Sequence, residues 1–553
     1  MTASRAADVL VACLEAEGVR WVFGVPGEET LDLNHALEHS SIEFVAVRHE
    51  QGGAYMADMV GRLTGRAGVC LGTLGPGALN LVTAVADAQL DHAPLVALTG
   101  QGPLVSMHKT SHQFLDVVQV MRPITKWNAR VADPATVPEA VRKAFKVAES
   151  EKPGATHLEL PEDVMGAPLR AAPLEHRAPA RVEPPADAIE RAANLICSAE
   201  RPLVLAGNGV HRAGAAPALR RLVQVTRIPV AETFMGKGAL DFEHELAVGT
   251  VGVDDTDYEL AGFDEADVVI AVGYDLVELA PDHWNARRDK AIVVIDTVGA
   301  EVDAAYVPQV ELVGDLRHVL TRLAEACARE AGDDRPAAPR DARLREAVFA
   351  RLQAGRHDDA FPVTPPRALW ELRAALGRED VLVADVGLHK QWIARMFGAH
   401  EPNTVFISNG LAGMGCALPR AIGAKLAQPE RNVVAVSGDG GIMMNVQELE
   451  TAVRLGTAVV CVVWEDGCYS AIGHKQRKKF GESFGVSFGN PDFVTLAESF
   501  GMPAWRCASA DDFGGRLRDA LQLDVPSMIV LPIDASIDIA LSDEHPEKAV
   551  DRR

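Results

Sequence analysis

Two carboxylates 27 positions apart, Asp439 and Asp466, have the setting in this 553-residue sequence that most suggests chemistry. The apolar run 433–437 breaks off at Gly438-Asp439-Gly440-Gly441, a helical pattern follows at 447–455, and a second apolar run, 458–464, breaks off at Glu465-Asp466-Gly467. A strand, a helix and a parallel strand in one sheet set the carboxyl ends of both strands side by side, at the edge where open α/β sheets bind ligands. Asp439 and Asp466 are therefore expected to converge. Two such carboxylates can hold a hard divalent cation, and the N–H groups of Gly-rich turns can take the phosphates that share it. Read alone, the same residues also suit two ordinary strand-end turns, in which Asp and Gly are common.

Other segments carry residues of a chemical kind. Near the N-terminus, Phe23-Gly24-Val25-Pro26-Gly27-Glu28 precedes a short strand at 44–47 and then Arg48-His49-Glu50-Gln51, which places Glu50 at a strand end. Gly72-Thr73-Leu74-Gly75-Pro76-Gly77 opens a helix at 78–89 that includes Asn80. His112-Gln113 and Lys126 stand in two polar segments, 107–113 and 122–128. The strand 381–384 runs into Asp385-Val386-Gly387-Leu388-His389, and Met414 lies among glycines in Asn409-Gly410-Leu411-Ala412-Gly413-Met414-Gly415. Taken singly, each has a plainer reading. Such a Glu is usually solvated, a Gly-Pro-Gly is a tight turn, the Met is core, and Lys475, Arg477, Lys478 and Lys479 form a solvated helix face.

These residues need a scaffold, and the sequence describes one. A chain of 553 residues exceeds the roughly 250 to 300 residues at which single cores stop growing, so it must divide. Hydrophobic residues are 48% and charged residues 24%, the balance of a soluble globular protein. Short β-branched runs alternate with amphipathic helical stretches, the pattern of parallel sheets covered on both faces, so the class is α/β, doubly wound. Pro-rich changes of composition at 171–186 and 332–366 divide the chain into domains at 1–170, 187–331 and 363–553.

The net charge of −23 disfavours nucleic acid and anionic membranes as partners. The eight cysteines form no C-x-x-C pair, which argues against a zinc site or a disulfide framework. The N-terminus lacks a signal-peptide pattern, and no apolar run approaches the roughly 20 residues that span a bilayer. A cytoplasmic protein is expected.

Gly438-Asp439-Gly440 with a distal Asp466 resembles the thiamine-diphosphate motif, and the other segments, in order along essentially the whole chain, resemble acetolactate synthases of the catabolic, FAD-independent type. The resemblance implies three domains, binding in turn the pyrimidine, nothing catalytic, and the diphosphate. It implies Mg²⁺ held by the Asp439 and Asp466 side chains and the Cys468 carbonyl. Gly27, Gly75, Pro76, Asn80, Gly387, Leu388, His389, Gly413, Met414, Gly438, Gly440, Gly441 and Tyr469 would lie against the cofactor, with Met414 wedged between its two rings. Glu50 would hydrogen-bond N1′ of the aminopyrimidine, so that the 4′-amino group removes the C2 proton. His112 and Gln113 would face the reacting substrate, with Lys126 nearby.

By the same resemblance, C2 attacks pyruvate, CO₂ leaves, and the enamine adds to a second pyruvate to give 2-acetolactate. Another thiamine-dependent decarboxylase or carboligase is the alternative, and a non-catalytic scaffold or regulatory subunit is an alternative of another class. Glu465 stands where the family commonly has Asn. Lys475 replaces the usual Trp or Gln and suits the carboxylate of a bound 2-oxo acid as well as it suits solvent. In the middle third, Gly207-Asn208-Gly209 lacks the complete G-x-G-x-x-G, and Tyr274-Asp275 with Trp284-Asn285 resembles the branch without FAD. The family's assembly implies a homodimer or homotetramer with active sites between subunits.

Overall fold

The computed structural model describes residues 4–177, 182–331 and 341–541. The expected linkers at 171–186 and 332–366 thus lie partly outside the described residues, as do the two ends of the expected domains. Three six-stranded sheets succeed one another along the chain. The first contains β1 (Trp21–Gly24), β2 (Glu43–Ala46), β3 (Gly68–Gly72), β4 (Leu95–Gln101), β5 (Trp127–Arg130) and β6 (Ala155–Pro161). The second contains β7 (Pro202–Ala206), β8 (Val230–Glu232), β9 (Ala247–Thr250), β10 (Val268–Val272), β11 (Ala291–Asp296) and β12 (Val310–Val313). The third contains β13 (Val381–Ala384), β14 (Val405–Ile407), β15 (Val433–Gly438), β16 (Val459–Glu465), β17 (Ala504–Arg506) and β18 (Ser527–Pro532).

Every pairing between these strands is parallel, which explains the near-continuous apolar runs: β4, β10 and β15 are covered by helices on both faces and need no polar side. The first and third sheets share one order, β2-β1-β3-β4-β6-β5 and β14-β13-β15-β16-β18-β17. The middle sheet, β12-β11-β10-β7-β8-β9, has the order of dinucleotide-binding folds, with its switch point between β7 and β10.

The first and third units pack through helices. Glu50–Thr64 lies along Ala417–Ala427, where Gly423 is needed because a Cβ there would stand 2.5 Å from the Met56 carbonyl oxygen. Buried charges cross the same contact. Arg420 donates to Asp58 (2.6 Å) and Asp87 (3.0 Å), and Arg62 donates to Asp58 (2.9 Å) and Asp91 (2.9 Å). Such a set is stable only when every member is paired.

One placement differs from the sequence reading. Glu50 does not end a strand: β2 stops at Ala46, and Glu50 is the first residue of the helix Glu50–Thr64. The reason is local, because the His49 ring nitrogen accepts from the Gln51 N–H (3.2 Å) and caps that helix. All eight cysteines are free, and no described helix is long and apolar enough to cross a membrane.

Candidate active site

The expected convergence occurs at the carboxyl ends of β15 and β16. Asp439 is buried, and its Oδ2 accepts from the Asp466 N–H (3.0 Å) and the Gly467 N–H (2.7 Å), joining the two turns directly. Asn490, from a loop with no local sequence signal, donates its side-chain amide to the same oxygen (2.8 Å). Asp466 accepts from the Cys468 N–H (3.0 Å) and from the Ser470 hydroxyl. Burial, then the nearby charge of Asp439, raises the Asp466 carboxyl above its ordinary range, a repulsion that a divalent cation between the two would relieve.

Above this turn lies a cavity of about 400 Å³, lined by Gly387, Leu388, His389, Met414, Gly438, Asp439, Gly440, Gly441, Asp466, Cys468 and Tyr469, together with Trp464, Ile472 and Gln476. Its floor is a cradle without side chains, since a Cβ on Gly440 would stand 2.6 Å from the Tyr469 ring and one on Gly441 2.8 Å from Ser437 Oγ. His389, in the first turn of the helix Leu388–Met396, is buried, and burial lowers its ring to about 4, so it is neutral near pH 7. Its Nε2 is buried with no hydrogen-bond partner among the described residues. An orphaned ring nitrogen above a glycine cradle beside two converging carboxylates fits a diphosphate and its cation.

A second constellation sits at the carboxyl ends of β1 to β3. Glu50 is buried and accepts from the Asn80 side-chain amide (2.9 Å). Gly77 lies beside Glu50 Oε1, Gly27 packs on Thr73, and Gly75, with φ +48°, turns the chain into the helix Pro76–Leu90 and touches the backbone of Gln113. Gln113 and His112 are exposed at this rim. No described residue of the first unit lines the cavity of the third, so the chain carries two separate candidate half-sites. Leu79, Leu411, Met443 and Met444 are exposed large apolar side chains of these same segments.

Two expected residues are not brought to either half-site. The Lys126 ammonium donates to the carbonyls of Ser150 (2.5 Å) and Lys152 (2.6 Å), and burial lowers it to about 8. Lys126 precedes β5 and so lies at the amino ends of the strands, opposite Glu50. Lys475, on the helix Ser470–Phe480, is exposed and does not line the cavity, whereas its neighbour Gln476 does. Arg477, Lys478 and Lys479, which follow it, are exposed as well.

In the middle unit, a carboxylate occupies the switch-point turn. The Asn208 N–H donates to Glu278 Oε1 (3.0 Å) and Oε2 (3.2 Å), and the Thr233 hydroxyl donates to the same carboxylate. Beside it, Asp275 accepts from His92 (2.8 Å) and from Lys152 (2.6 Å). Burial works against the charged form of Asp275, but these two donors outweigh it and hold the carboxyl well below its usual range.

Fold and half-sites together define a thiamine pyrophosphate enzyme. Models of its N-terminal TPP-binding, central and C-terminal TPP-binding domains match residues 4–120, 189–323 and 385–531. Within that class the chain belongs to the acetolactate synthase family. It is 36% identical to the acetolactate synthase of Bacillus subtilis (strain 168), over 99% of this chain and 96% of that one. It is 35% identical to the catabolic acetolactate synthase of Raoultella terrigena (96% and 95% covered) and 35% to a probable acetolactate synthase large subunit of Methanocaldococcus jannaschii (96% and 92%).

Proposed function

We propose that this enzyme decarboxylates pyruvate and joins the two-carbon unit to a second pyruvate, releasing CO₂ and 2-acetolactate. The observation that carries the reading is the pairing of two half-sites on one chain: a carboxylate-and-glycine cradle at Asp439 and Asp466, and a buried Glu50 held by Asn80. When bound, thiamine diphosphate supplies the electron sink that lets a 2-oxo acid lose CO₂. Asp439, Asp466 and the Cys468 carbonyl would hold Mg²⁺, and His389 with the N–H groups of the glycine turns would hold the diphosphate. Met414 would support the cofactor's shape. Glu50 would share a proton with N1′ of the pyrimidine.

Because Glu50 and the cradle share no cavity within a chain, the working unit is a homodimer, or a homotetramer built from dimers, with Glu50 of one chain facing the cradle of the next. The exposed Leu79, Leu411, Met443 and Met444 would be covered on pairing. The units are taken as 1–170, 187–331 and 363–553, in a cytoplasmic enzyme. The test is to incubate purified protein with pyruvate, thiamine diphosphate and Mg²⁺ and to separate the products. Acetolactate supports the reading; acetaldehyde alone marks a simple decarboxylase, and no turnover marks a scaffold. Lys475→Gln in the same assay asks whether an exposed ammonium at the mouth recruits the second 2-oxo acid. A lower acetolactate-to-acetaldehyde ratio would assign it that role, and an unchanged ratio would leave it to solvent.

The middle unit is read as structural and without FAD, because Glu278 already accepts from the Asn208 N–H where a nucleotide phosphate would sit. The purified enzyme is expected to be colourless and fully active without added flavin. A stoichiometric flavin absorbance, or activity restored by FAD alone, would overturn this.

A further inference from the structure

Resting on the reading of Glu50 and Met414 above, we infer that the contact between the first and third units is a reciprocal brace, in which each unit positions the other's half-site. In one direction the third unit reaches the first. Glu448, fully buried at the start of the helix Glu448–Leu455, accepts from the His49 N–H (3.0 Å) and the Arg48 N–H (3.2 Å), the two peptides that lead into Glu50. It is steadied by the Thr451 hydroxyl (2.6 Å). Gly52, in the first turn of the Glu50 helix, leaves the space this carboxylate fills, since a Cβ there would stand 2.7 Å from Glu448 Oε1. Glu448 therefore fixes where the Glu50 helix begins, and with it the Glu50 side chain.

In the other direction the first unit reaches the third. Asp91 accepts from the Gly410 N–H (2.7 Å) and the Asn409 N–H (3.3 Å). Asp87 accepts from the Ser408 hydroxyl (2.7 Å) and the Gly413 N–H (3.2 Å). Together they clamp both ends of the segment 408–413 that delivers Met414 to the cavity. Both carboxylates are buried and held in turn by Arg62 and Arg420, so the clamp cannot swing away with solvent. Neither Glu448 nor Asp91 lines the cavity. Both are positioning residues.

The two arms predict opposite signatures, which a purely structural role does not. Glu448→Gln replaces one acceptor oxygen by a donor facing peptide N–H groups. It is expected to slow proton exchange at the cofactor C2 by about 10- to 100-fold with the thiamine diphosphate Kd unchanged, as displacement of a reacting group by a remote change does. Asp91→Ala is expected to raise that Kd by about tenfold or more while exchange in the saturated enzyme stays near wild type, with Asp91→Asn, which keeps an acceptor for Gly410, recovering most of the loss. Melting temperatures of the holoenzymes, measured alongside, separate these effects from instability. If both variants merely melt earlier, with Kd and exchange unmoved, or if both change the same parameter, the brace is refuted. Glu50→Gln and Met414→Ala serve as controls. If they leave exchange and Kd unaltered, the reading of the half-sites fails; if they respond and Glu448→Gln and Asp91→Ala do not, the brace fails alone.

Discussion

Glu50→Gln is expected to bind thiamine diphosphate measurably while exchanging the C2 proton more slowly by about 10²- to 10⁴-fold, the range contributed by a positioned acid–base group. The substitution is close to isosteric and preserves the partner geometry. Asn80 still has an oxygen to donate to at the position now 2.9 Å away, so the helix start and the turn at Gly75 should stand. What is lost is a proton that can move, because an amide at neutral pH neither gives nor takes one. Exchange followed by NMR on the saturated protein reads this step directly, apart from product release. Exchange at the wild-type rate in the variant would remove Glu50 from the chemistry.

Asp439→Ala should lose Mg²⁺ and thiamine diphosphate together, each by about 100-fold or more, since disturbing even the outer partners of a metal site costs 10- to 100-fold. Asp439 is more than a candidate ligand: the N–H groups of Gly440, Asp466 and Gly467 and the amide of Asn490 all donate to it. Alanine leaves these donors without an acceptor and lets the 465–467 turn drift, so Asp466 leaves the cation's reach as well. Asp439→Asn, which keeps the bulk and one acceptor, guards against simple misfolding and should also show the linked loss. Titration calorimetry with and without Mg²⁺ decides the matter. Thiamine diphosphate binding that stayed tight and Mg²⁺-dependent in both variants would move the metal elsewhere.

The strand–helix–strand argument located Asp439 and Asp466 because parallel β-structure has few topologies, and two turns at the ends of neighbouring strands must meet. The same logic carried the class of the fold, since β-branched runs buried on both faces read alike in all three units. It made no claim for Lys126, whose placement came from the resemblance alone and whose ammonium turns instead to the carbonyls of Ser150 and Lys152. It misplaced Glu50 by the three residues 47–49, where a His cap, and not a strand, sets the boundary. Asn490, Glu448 and Glu278 stayed invisible for another reason: each acts on a backbone or a carboxylate 51 to 400 positions away, and no local pattern encodes such a pairing.

The Glu278 carboxylate at the middle unit's switch point bears on how this protein depends on its surroundings. A bound nucleotide stabilises a domain only to the extent that its concentration exceeds its dissociation constant, so such a domain weakens whenever supply runs short. Glu278 is tethered to the N–H group it satisfies, and its effective concentration at Asn208 is set by chain geometry and never by diffusion. On the proposal that this unit binds no FAD, the middle third would keep its shape in a starved cell as in a fed one. Of the vitamins such an enzyme draws on, riboflavin would then drop out of its folding, and thiamine alone would set how much of it is ready to work.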